Sequence, residues 1–491
     1  MVRILIQNSK SRISGSLSDI TKLRGIMSIR HPKAFYVRQK MKNSYSWDGT
    51  IKYITEAGYL KTGHLPWLVN ILKKEEIEFE LVDQRSHLRY EPFEIEDLDV
   101  EVREYQTEAV DKVLENTIEG IPFQRGIINA ATNAGKTMMM IKIFKSFPDA
   151  NGIILINEST LYNQFLKDMP KYFEEDEWGY MQGKNLKWGK IMVAMVQTLV
   201  RNINKFQSKL SSIDIIFIDE CDLSTSKTYK TILNHIYNAT IRVGLSGSVF
   251  LTKLKRDDMK NNEVKEYLGE ELFKIKNIQL MEMGYSTPVV VKIIEGNTKF
   301  PTSLNYPEVY RECITLNTDR TRKAVERVKF NLERGRKPLI VVCQYIEHVE
   351  VMYAAMRGAF GLRHNVSYAH HETKDRLEIF DDFRVGKIDI LVVSQIVRRG
   401  KNFPLIKYIL NAGGGDSSAN VLQIVGRGVR KHESKSKVWV EDFWDMGKYI
   451  QDHSKHRVLT YKQEGFKIIS LLTGDTIIKK KKTNGKRGKK A

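Results

Sequence analysis

Three short stretches hold residue types that together could bind and split a nucleoside triphosphate. The first is Ala130-Ala131-Thr132-Asn133-Ala134-Gly135-Lys136-Thr137, which follows the apolar pair Ile127-Ile128 and precedes Met138-Met139-Met140-Ile141. A loop of this kind wraps backbone N–H groups around phosphates at a helix N-terminus. Its lysine reaches the β- and γ-phosphates, and its hydroxyl meets Mg²⁺. Thr132, Asn133, Ala134, Gly135, Lys136 and Thr137 are thus the expected nucleotide ligands. Ala130 stands where the usual pattern has its first glycine, and a small residue there still permits the turn. An ordinary strand–turn–helix with a chance Gly-Lys-Thr is the competing reading. The second stretch weakens it, because Ile215-Ile216-Phe217-Ile218 runs directly into Asp219-Glu220-Cys221-Asp222. Adjacent carboxylates at the end of a buried strand are costly unless a cation or a reaction needs them. In P-loop ATPases the first holds Mg²⁺ and the second polarises the attacking water. Asp219 then joins Thr137 on the metal, and Glu220 orients water. The third stretch, Gln423-Ile424-Val425-Gly426-Arg427-Gly428-Val429-Arg430, puts two arginines on one helical run. Arginines so placed can stabilise transition-state charge at a γ-phosphate. Alone, they would read equally well as a surface pair.

The elements that must position these residues follow from hydrophobic patterning. Ile153-Ile154-Leu155-Ile156, Met192-Val193-Ala194-Met195-Val196, Ile215–Ile218 and Val243-Gly244-Leu245 are short apolar runs separated by helical stretches. Runs buried on both faces and joined by helices predict a parallel α/β sheet. The pattern returns with Leu339-Ile340-Val341-Val342, Asp389-Ile390-Leu391-Val392-Val393 and Tyr408-Ile409-Leu410. The fold class is therefore α/β, two tandem parallel-sheet lobes meeting near Ser286-Thr287-Pro288, with a small basic N-terminal domain that is α+β or β-rich. The expected boundaries are 1–98 for that domain, 99–285 and 286–464 for the lobes, and 465–491 for a C-terminal segment. The segment ends in a disordered lysine-rich tail, with eight basic residues in the twelve from 479 to 490. Residues 174–190 read as an irregular stretch whose Trp178, Tyr180 and Trp188 pack on the first lobe or guide a strand. Gly413-Gly414-Gly415 reads as a mobile loop.

The order of motifs resembles that of the superfamily-2 helicases of the DExH type, whose lobes are RecA-like. Val102-Arg103-Glu104-Tyr105-Gln106 matches their Q motif, which implies that Gln106, with Arg103 beside it, selects adenine. Ile156–Gln164 resembles motif Ia and Val196–Leu199 motif Ic, which assigns Ser159, Thr160, Gln164, Gln197 and Thr198 to the nucleic-acid backbone. Ser246, Gly247 and Ser248 occupy motif III, which couples hydrolysis to strand movement. Gln344 lies in the counterpart of motif IV. Ser394 and Gln395 open that of motif V, and Gly400 with Asn402 follows toward the nucleotide. The family usually carries Asp where Asn402 stands, so Asn402 hydrogen-bonds ribose without adding charge. Gln423, Arg427 and Arg430 match motif VI, QxxGRxxR, and complete catalysis with Lys136 and Glu220. Eight motifs in family order across about 330 residues exclude chance.

Asp-Glu-Cys-Asp with Ser-Gly-Ser moves the chain away from the DEAD-box RNA helicases. Lys431-His432 after motif VI, together with Trp47-Asp48-Gly49-Thr50-Ile51 and Leu65-Pro66-Trp67-Leu68, is similar to the phage UvsW-type recombination helicases. That resemblance implies an ATP- and Mg²⁺-dependent motor remodelling branched DNA in recombination, replication or repair. Its partners would be branched or forked DNA, RNA within hybrids, and phage or host recombination proteins. Two alternatives stay open: a DExH-type RNA helicase, and an ATP-gated clamp that does not separate strands.

Composition agrees with a polyanionic partner. Seventy-nine Lys and Arg against fifty-nine Asp and Glu leave a net charge of +20. Residues 1–74 hold fourteen basic and three acidic residues, interleaved with Phe35, Tyr36, Tyr45, Trp47, Tyr53, Tyr59 and Trp67. Basic side chains neutralise phosphates and aromatic faces stack on bases, although the same aromatics could form a small core. Three scattered cysteines exclude a disulfide framework, and no apolar run reaches the ~18 residues of a membrane span. A cytoplasmic protein without a membrane partner is the expectation.

Overall fold

The computed structural model describes residues 1–40, 47–93, 102–250, 258–297, 305–394, 403–416, 422–423, 425–426 and 428–472. They divide into two compact units. One comprises the described residues of 1–287, 396–404 and 418–432, and the other those of 288–395, 405–417 and 433–491.

The first unit is built on an eight-stranded sheet. Its spatial order is Asn185–Lys187, Trp178–Gln182, Ile191–Met195, Gly152–Ile156, Ile215–Asp219, Ile241–Ser246, Arg125–Ala130 and Glu271–Ile275. Every neighbouring pair is parallel except the first. The side-chain period of two sends Ile154, Ile156, Phe217, Val243 and Leu245 into one hydrophobic layer and Ile153, Leu155, Ile216 and Ile218 into another. Both faces are therefore covered, which is why these strands read as unbroken apolar runs.

Residues 174–190 differ from the irregular stretch expected. They form a hairpin, Trp178–Gln182 against Asn185–Lys187, turned at Gly183 with φ +59°. Gly179 permits the close packing, because a Cβ there would lie 2.3 Å from the Lys187 carbonyl oxygen. Trp178 and Tyr180 pack on the core, and Trp188 stacks on Phe206 at 5.1 Å.

The small N-terminal domain is a four-stranded sheet in the order Tyr59–Lys61, Lys10–Ser14, Val2–Ile6, Phe79–Asp83, backed by helices Leu17–Ile26 and Leu65–Lys74. It is fixed to the first sheet by polar contacts. Arg125 donates to the Asn8 carbonyl at 2.6 Å, the Asn8 amide to the Asn238 carbonyl at 2.6 Å, and Lys61 to Asn234 at 3.1 Å.

The second unit holds seven parallel strands in the order Val366–Ala369, Ile390–Val393, Leu339–Val342, Tyr408–Asn411, Val438–Trp444, Val289–Glu295, Lys467–Ser470. The last of these comes from the segment expected to stand apart, so part of 465–491 belongs to this sheet. The lysine tail lies outside the described residues. The Gly413–Gly415 run is tethered rather than mobile: Tyr310 Oη donates to the Gly413 carbonyl at 2.7 Å and Arg457 to that of Gly415 at 3.0 Å. No described helix is long and apolar enough to cross a membrane.

Candidate nucleotide site and nucleic-acid interface

The buried strand Arg125–Ala130 delivers the chain to a tight loop, and helix Lys136–Lys145 leaves from it. Asn133 at φ +75° and Gly135 at φ +77° turn the backbone so that the loop closes over the helix N-terminus. Glycine suits that left-handed backbone, and a Cβ there would also displace the Gln106 amide. Lys136 Nζ folds back to donate to the Ala130 carbonyl at 3.2 Å. A ten-residue helix opening on a left-handed glycine, with a lysine already drawn to oxygen, suits a phosphate chain.

The segment ahead of helix Glu104–Leu114 braces this loop. Arg103 Nη1 donates to Tyr105 Oη at 2.7 Å and to the Asn133 carbonyl at 3.3 Å. Tyr105 Oη and Gln106 Nε2 both donate to the Ala134 carbonyl, at 3.1 and 2.9 Å, and Gln106 Oε1 accepts from Arg103 N at 3.0 Å. Gln106, expected to read adenine, is thus 4% exposed and engaged with the phosphate loop. The Arg103 guanidinium sits 4.3 Å from the Tyr285 ring centroid, a cation–π contact that sequence gave no sign of.

Asp219 ends the central strand Ile215–Asp219 and is 6% exposed. Glu220 follows at φ +52°, a strained turn for a residue with a side chain. Next to them in the sheet, strand Ile241–Ser246 brings up a serine that links the motifs. Ser246 Oγ donates 3.4 Å contacts to Glu220 Oε2 and Asp222 Oδ1, and Ser248 N donates to it at 3.1 Å. Gly247 lets this turn reach the phosphate loop, because a Cβ would lie 2.9 Å from the Ala130 carbonyl. Cys221, wholly buried, has its thiol pushed up by burial and by the surrounding Asp222, Glu220 and Asp219, against the pull of Lys136. Thr137, second residue of the loop helix, and Asp219 are the residues whose chemistry fits a hard divalent cation.

The motif VI segment packs with the same unit. A Cβ on Gly426 would lie 2.6 Å from Thr132 Oγ1. Gln423 is 9% exposed, and Arg430 forms a bridge to Ser286. Residues 285–287 thus lie between two motifs. Asn133 Nδ2 donates to the Tyr285 carbonyl at 3.2 Å and to Ser286 Oγ at 3.5 Å. On the other side Thr287 N donates to the Val429 carbonyl at 2.7 Å and Thr287 Oγ1 to that of Arg430 at 3.2 Å. Arg427, Gly400, Asn402 and Gln395 lie outside the described residues.

The residues expected on nucleic acid separate into two kinds. Gln197 is exposed and its amide meets Asn157 Oδ1, joining motifs Ia and Ic at the ends of neighbouring strands. Ser159, also exposed, starts helix Ser159–Asp168, which carries Gln164 and Thr160. Thr198 is buried, and its hydroxyl accepts from Gly183 N at 2.9 Å, so it holds the hairpin instead. In the second unit Gln344 and Ser394 leave adjacent paired strands, with Gln344 Nε2 donating to Tyr345 Oη at 3.1 Å and Ser394 N to the Ala369 carbonyl at 3.2 Å.

Comparison with known proteins gives this geometry its context. The type III restriction enzyme res subunit family matches residues 99–250, and the helicase conserved C-terminal domain family matches residues 321–432. The chain is 24% identical over 406 residues to the ATP-dependent DNA helicase uvsW of Enterobacteria phage T4, covering 75% of this chain and 77% of that protein. It is 24% identical over 363 residues to IRC3 of Saccharomyces cerevisiae, named as an ATP-dependent helicase. That match covers 70% of this chain and spans about half, 51%, of the yeast protein. Among solved structures, a fragment of an HsdR subunit of a type I restriction enzyme from Vibrio vulnificus YJ016 superposes with a TM-score of 0.53 at 19% identity. The superposition covers 75% of this chain and 68% of that one, a likeness of fold.

Proposed function

We propose that the chain is an ATP-driven motor of the superfamily-2 helicase kind that remodels branched DNA, a reading supported by the two domain families it matches and by its likeness to a phage DNA helicase. The observation that carries this reading is the convergence of three motifs on one loop, Gln106 on Gly135, Gly247 on Ala130 and Gly426 on Thr132, with Ser246 tying the motif III turn to Glu220.

In this reading Lys136 exchanges its contact with the Ala130 carbonyl for the β- and γ-phosphates, and the loop N–H groups hold the remaining oxygens. Thr137 and Asp219 hold Mg²⁺, which when bound neutralises charge developing between the phosphates. Glu220, kept by Ser246, accepts a hydrogen bond from the attacking water and turns its lone pair to the γ-phosphorus. Arg430 and Arg427 offset the charge that grows on the γ-oxygens, as donors aimed at that position do elsewhere. Ser246 ties Glu220 to the strand that ends in Gly247-Ser248, so turnover is felt by the motif III turn. Ser159, Gln164, Gln197 and Gln344 meet the strand being moved, while Ser394, like Thr198, is buried, and the surplus of positive charge holds the strand's phosphates. DNA rather than RNA is favoured by the Asp-Glu-Cys-Asp and Ser-Gly-Ser pairing and by the likeness to a phage DNA helicase.

The test is ATP turnover without nucleic acid and with single-stranded DNA, a four-way DNA junction or structured RNA, beside Lys136→Ala. Strongest stimulation by the junction, absent in the variant, is expected. Stimulation by RNA alone would replace the DNA reading with an RNA helicase. Nucleic-acid binding that responds to ATP without turnover would make the chain a gated clamp.

A further inference from the structure

The six described aromatic side chains between residues 35 and 67 fall into two sets. Tyr53 and Trp67 pack edge-to-face around His64 with centroids 4.8–5.5 Å apart, on the hydrophobic core of the N-terminal domain. Trp47 Nε1 donates to the Thr50 carbonyl at 2.8 Å, and Tyr59 lies beneath Arg12. Phe35 and Tyr36 do neither. They are neighbours on the short helix Ala34–Lys40, 68% and 64% exposed, and no other Phe, Tyr or Trp among the described residues exceeds 50%. Their rings touch only edge-to-face, 5.6 Å apart at 83°.

The charge around them is one-sided. Between Asp19 and Asp48 the sequence has seven Lys or Arg and no acid. Lys22 and Arg24 pair with Glu75 and Glu56. Arg30, Lys33 and Arg38 are exposed and carry no ion pair among the described residues. Two bare rings flanked by unneutralised cations match the chemistry of a single strand, a π-face beside a phosphate, better than that of a protein partner's apolar groove.

We propose that Phe35 and Tyr36 form a base-stacking step that takes nucleotides left unpaired at a branch point, while Arg30, Lys33 and Arg38 hold the adjoining phosphates. This rests on the reading of the chain as a branched-DNA motor and supplies its means of choosing a branch. Phosphate contacts bind a linear duplex and a branched one alike, whereas base faces are offered only where pairing is broken. Stacking is indifferent to base identity, so selection of shape need not become selection of sequence.

The test uses the full-length chain, because Asn8 and Lys61 tie this domain to the first sheet. Binding is measured without nucleotide to a forked DNA with a fluorescent adenine analogue unpaired at the junction, and to a blunt duplex of equal length. Wild type is expected to prefer the fork and to change the analogue's emission. Phe35→Ala with Tyr36→Ala should cost roughly tenfold or more per ring on the fork, erasing both the preference and the emission change. Phe35→Trp should keep them. Replacing Arg30, Lys33 and Arg38 with Ala should instead weaken fork and duplex together and lower the salt slope by about 2–3. A double-alanine variant with wild-type melting that keeps its preference overturns the stacking step alone. If wild type binds no DNA and no DNA stimulates its ATP turnover, the functional reading itself fails.

Discussion

Each lobe carries carboxylates on or just past a buried interior strand, and their surroundings differ. In the second lobe, strand Val438–Trp444 buries Glu441 and Asp442, with Asp445 just beyond it, and each is matched by an arginine. Arg327 Nε donates to Glu441 at 2.7 Å, Arg457 Nε to both oxygens of Asp442 at 3.1 Å, and Arg320 to Asp445 at 2.8 and 3.2 Å. Tyr408, Tyr461 and Asn411 add hydroxyl and amide donors to the same groups. In the first lobe Glu220 receives a 3.4 Å contact from the neutral hydroxyl of Ser246. That lobe's wholly buried cations point elsewhere: Arg125 donates to the Asn8 carbonyl, and Arg242 to those of Ala239 and Ile236. Arginine cancels a carboxylate's charge, whereas a serine hydroxyl can orient Glu220 without cancelling its charge. Carboxylates on or just past a buried strand lock the fold in the second lobe and form the proposed working site in the first.

The sharpest way to break this contrast is to neutralise one member of each set. Glu220→Gln keeps the shape and an acceptor for Ser246 but removes the charge that orients water. We expect ATP turnover to fall by about three orders of magnitude, with DNA affinity within a few fold and melting unchanged. A variant that unfolded the lobe instead would make Glu220 a structural carboxylate like Asp445.

Arg320→Met makes the converse change and should strike stability. Removing one partner of a buried pair typically costs about 3–5 kcal/mol, readable as an earlier urea transition of the second lobe. The pH dependence gives a second check. Burial raises the Asp445 carboxyl, but Arg320, Arg457 and the Asn297 N–H outweigh it and hold the group below its ordinary 3.8. A depressed carboxylate contributes stability that is present above its unfolded value and is lost as pH falls through the folded one. Wild type should therefore lose stability in acid. In Arg320→Met the buried Asp445 has lost its principal counter-charge, so protonation relieves the variant. The two stability curves should converge as pH falls toward 4. Parallel curves would show that Arg320 acts by packing on Phe443, whose ring it covers at 4.2 Å.

The same contrast decides what was legible in the sequence. Strands buried on both faces announce themselves as β-branched runs, and the acid or loop at each strand end marks a motif. Glu271–Ile275 and Lys467–Ser470 escape because they are edge strands with polar residues, and Trp178–Gln182 because its alternation is carried by a glycine and aromatics. The nucleotide loop, Asp219 and Glu220 follow from local spacing. Their supports do not: Ser246 lies 26 residues from Glu220, and Arg320 lies 125 from Asp445. Gln106 illustrates the limit from the other side, since its motif implied adenine whereas its amide also braces Ala134. Composition could count the aromatics of residues 35–67 but not sort them. A seven-residue helix has too few turns to show which face is covered.

The smallest expected effect probes whether the working site extends beyond groups that touch nucleotide. The three residues 285–287 bridge two segments: Asn133, in the candidate phosphate loop, donates to the Tyr285 carbonyl, and Thr287 donates to the Val429 and Arg430 carbonyls of motif VI. The loop and the arginine segment are thereby given a shared register. Thr287→Val deletes the hydroxyl that reaches Arg430 and leaves the backbone bond to Val429 intact. Losing one such bond is worth about 1 kcal/mol, or roughly fivefold in kcat if the whole loss falls on the transition state. The KM for ATP should hold, because Thr287 touches no phosphate ligand, and Thr287→Ser should restore the rate. A raised KM with constant kcat would mean that the bridge only shapes the binding loop. A fall in melting temperature with neither kinetic change would return residues 285–287 to the category of Arg320, a lock on the fold and not part of the site.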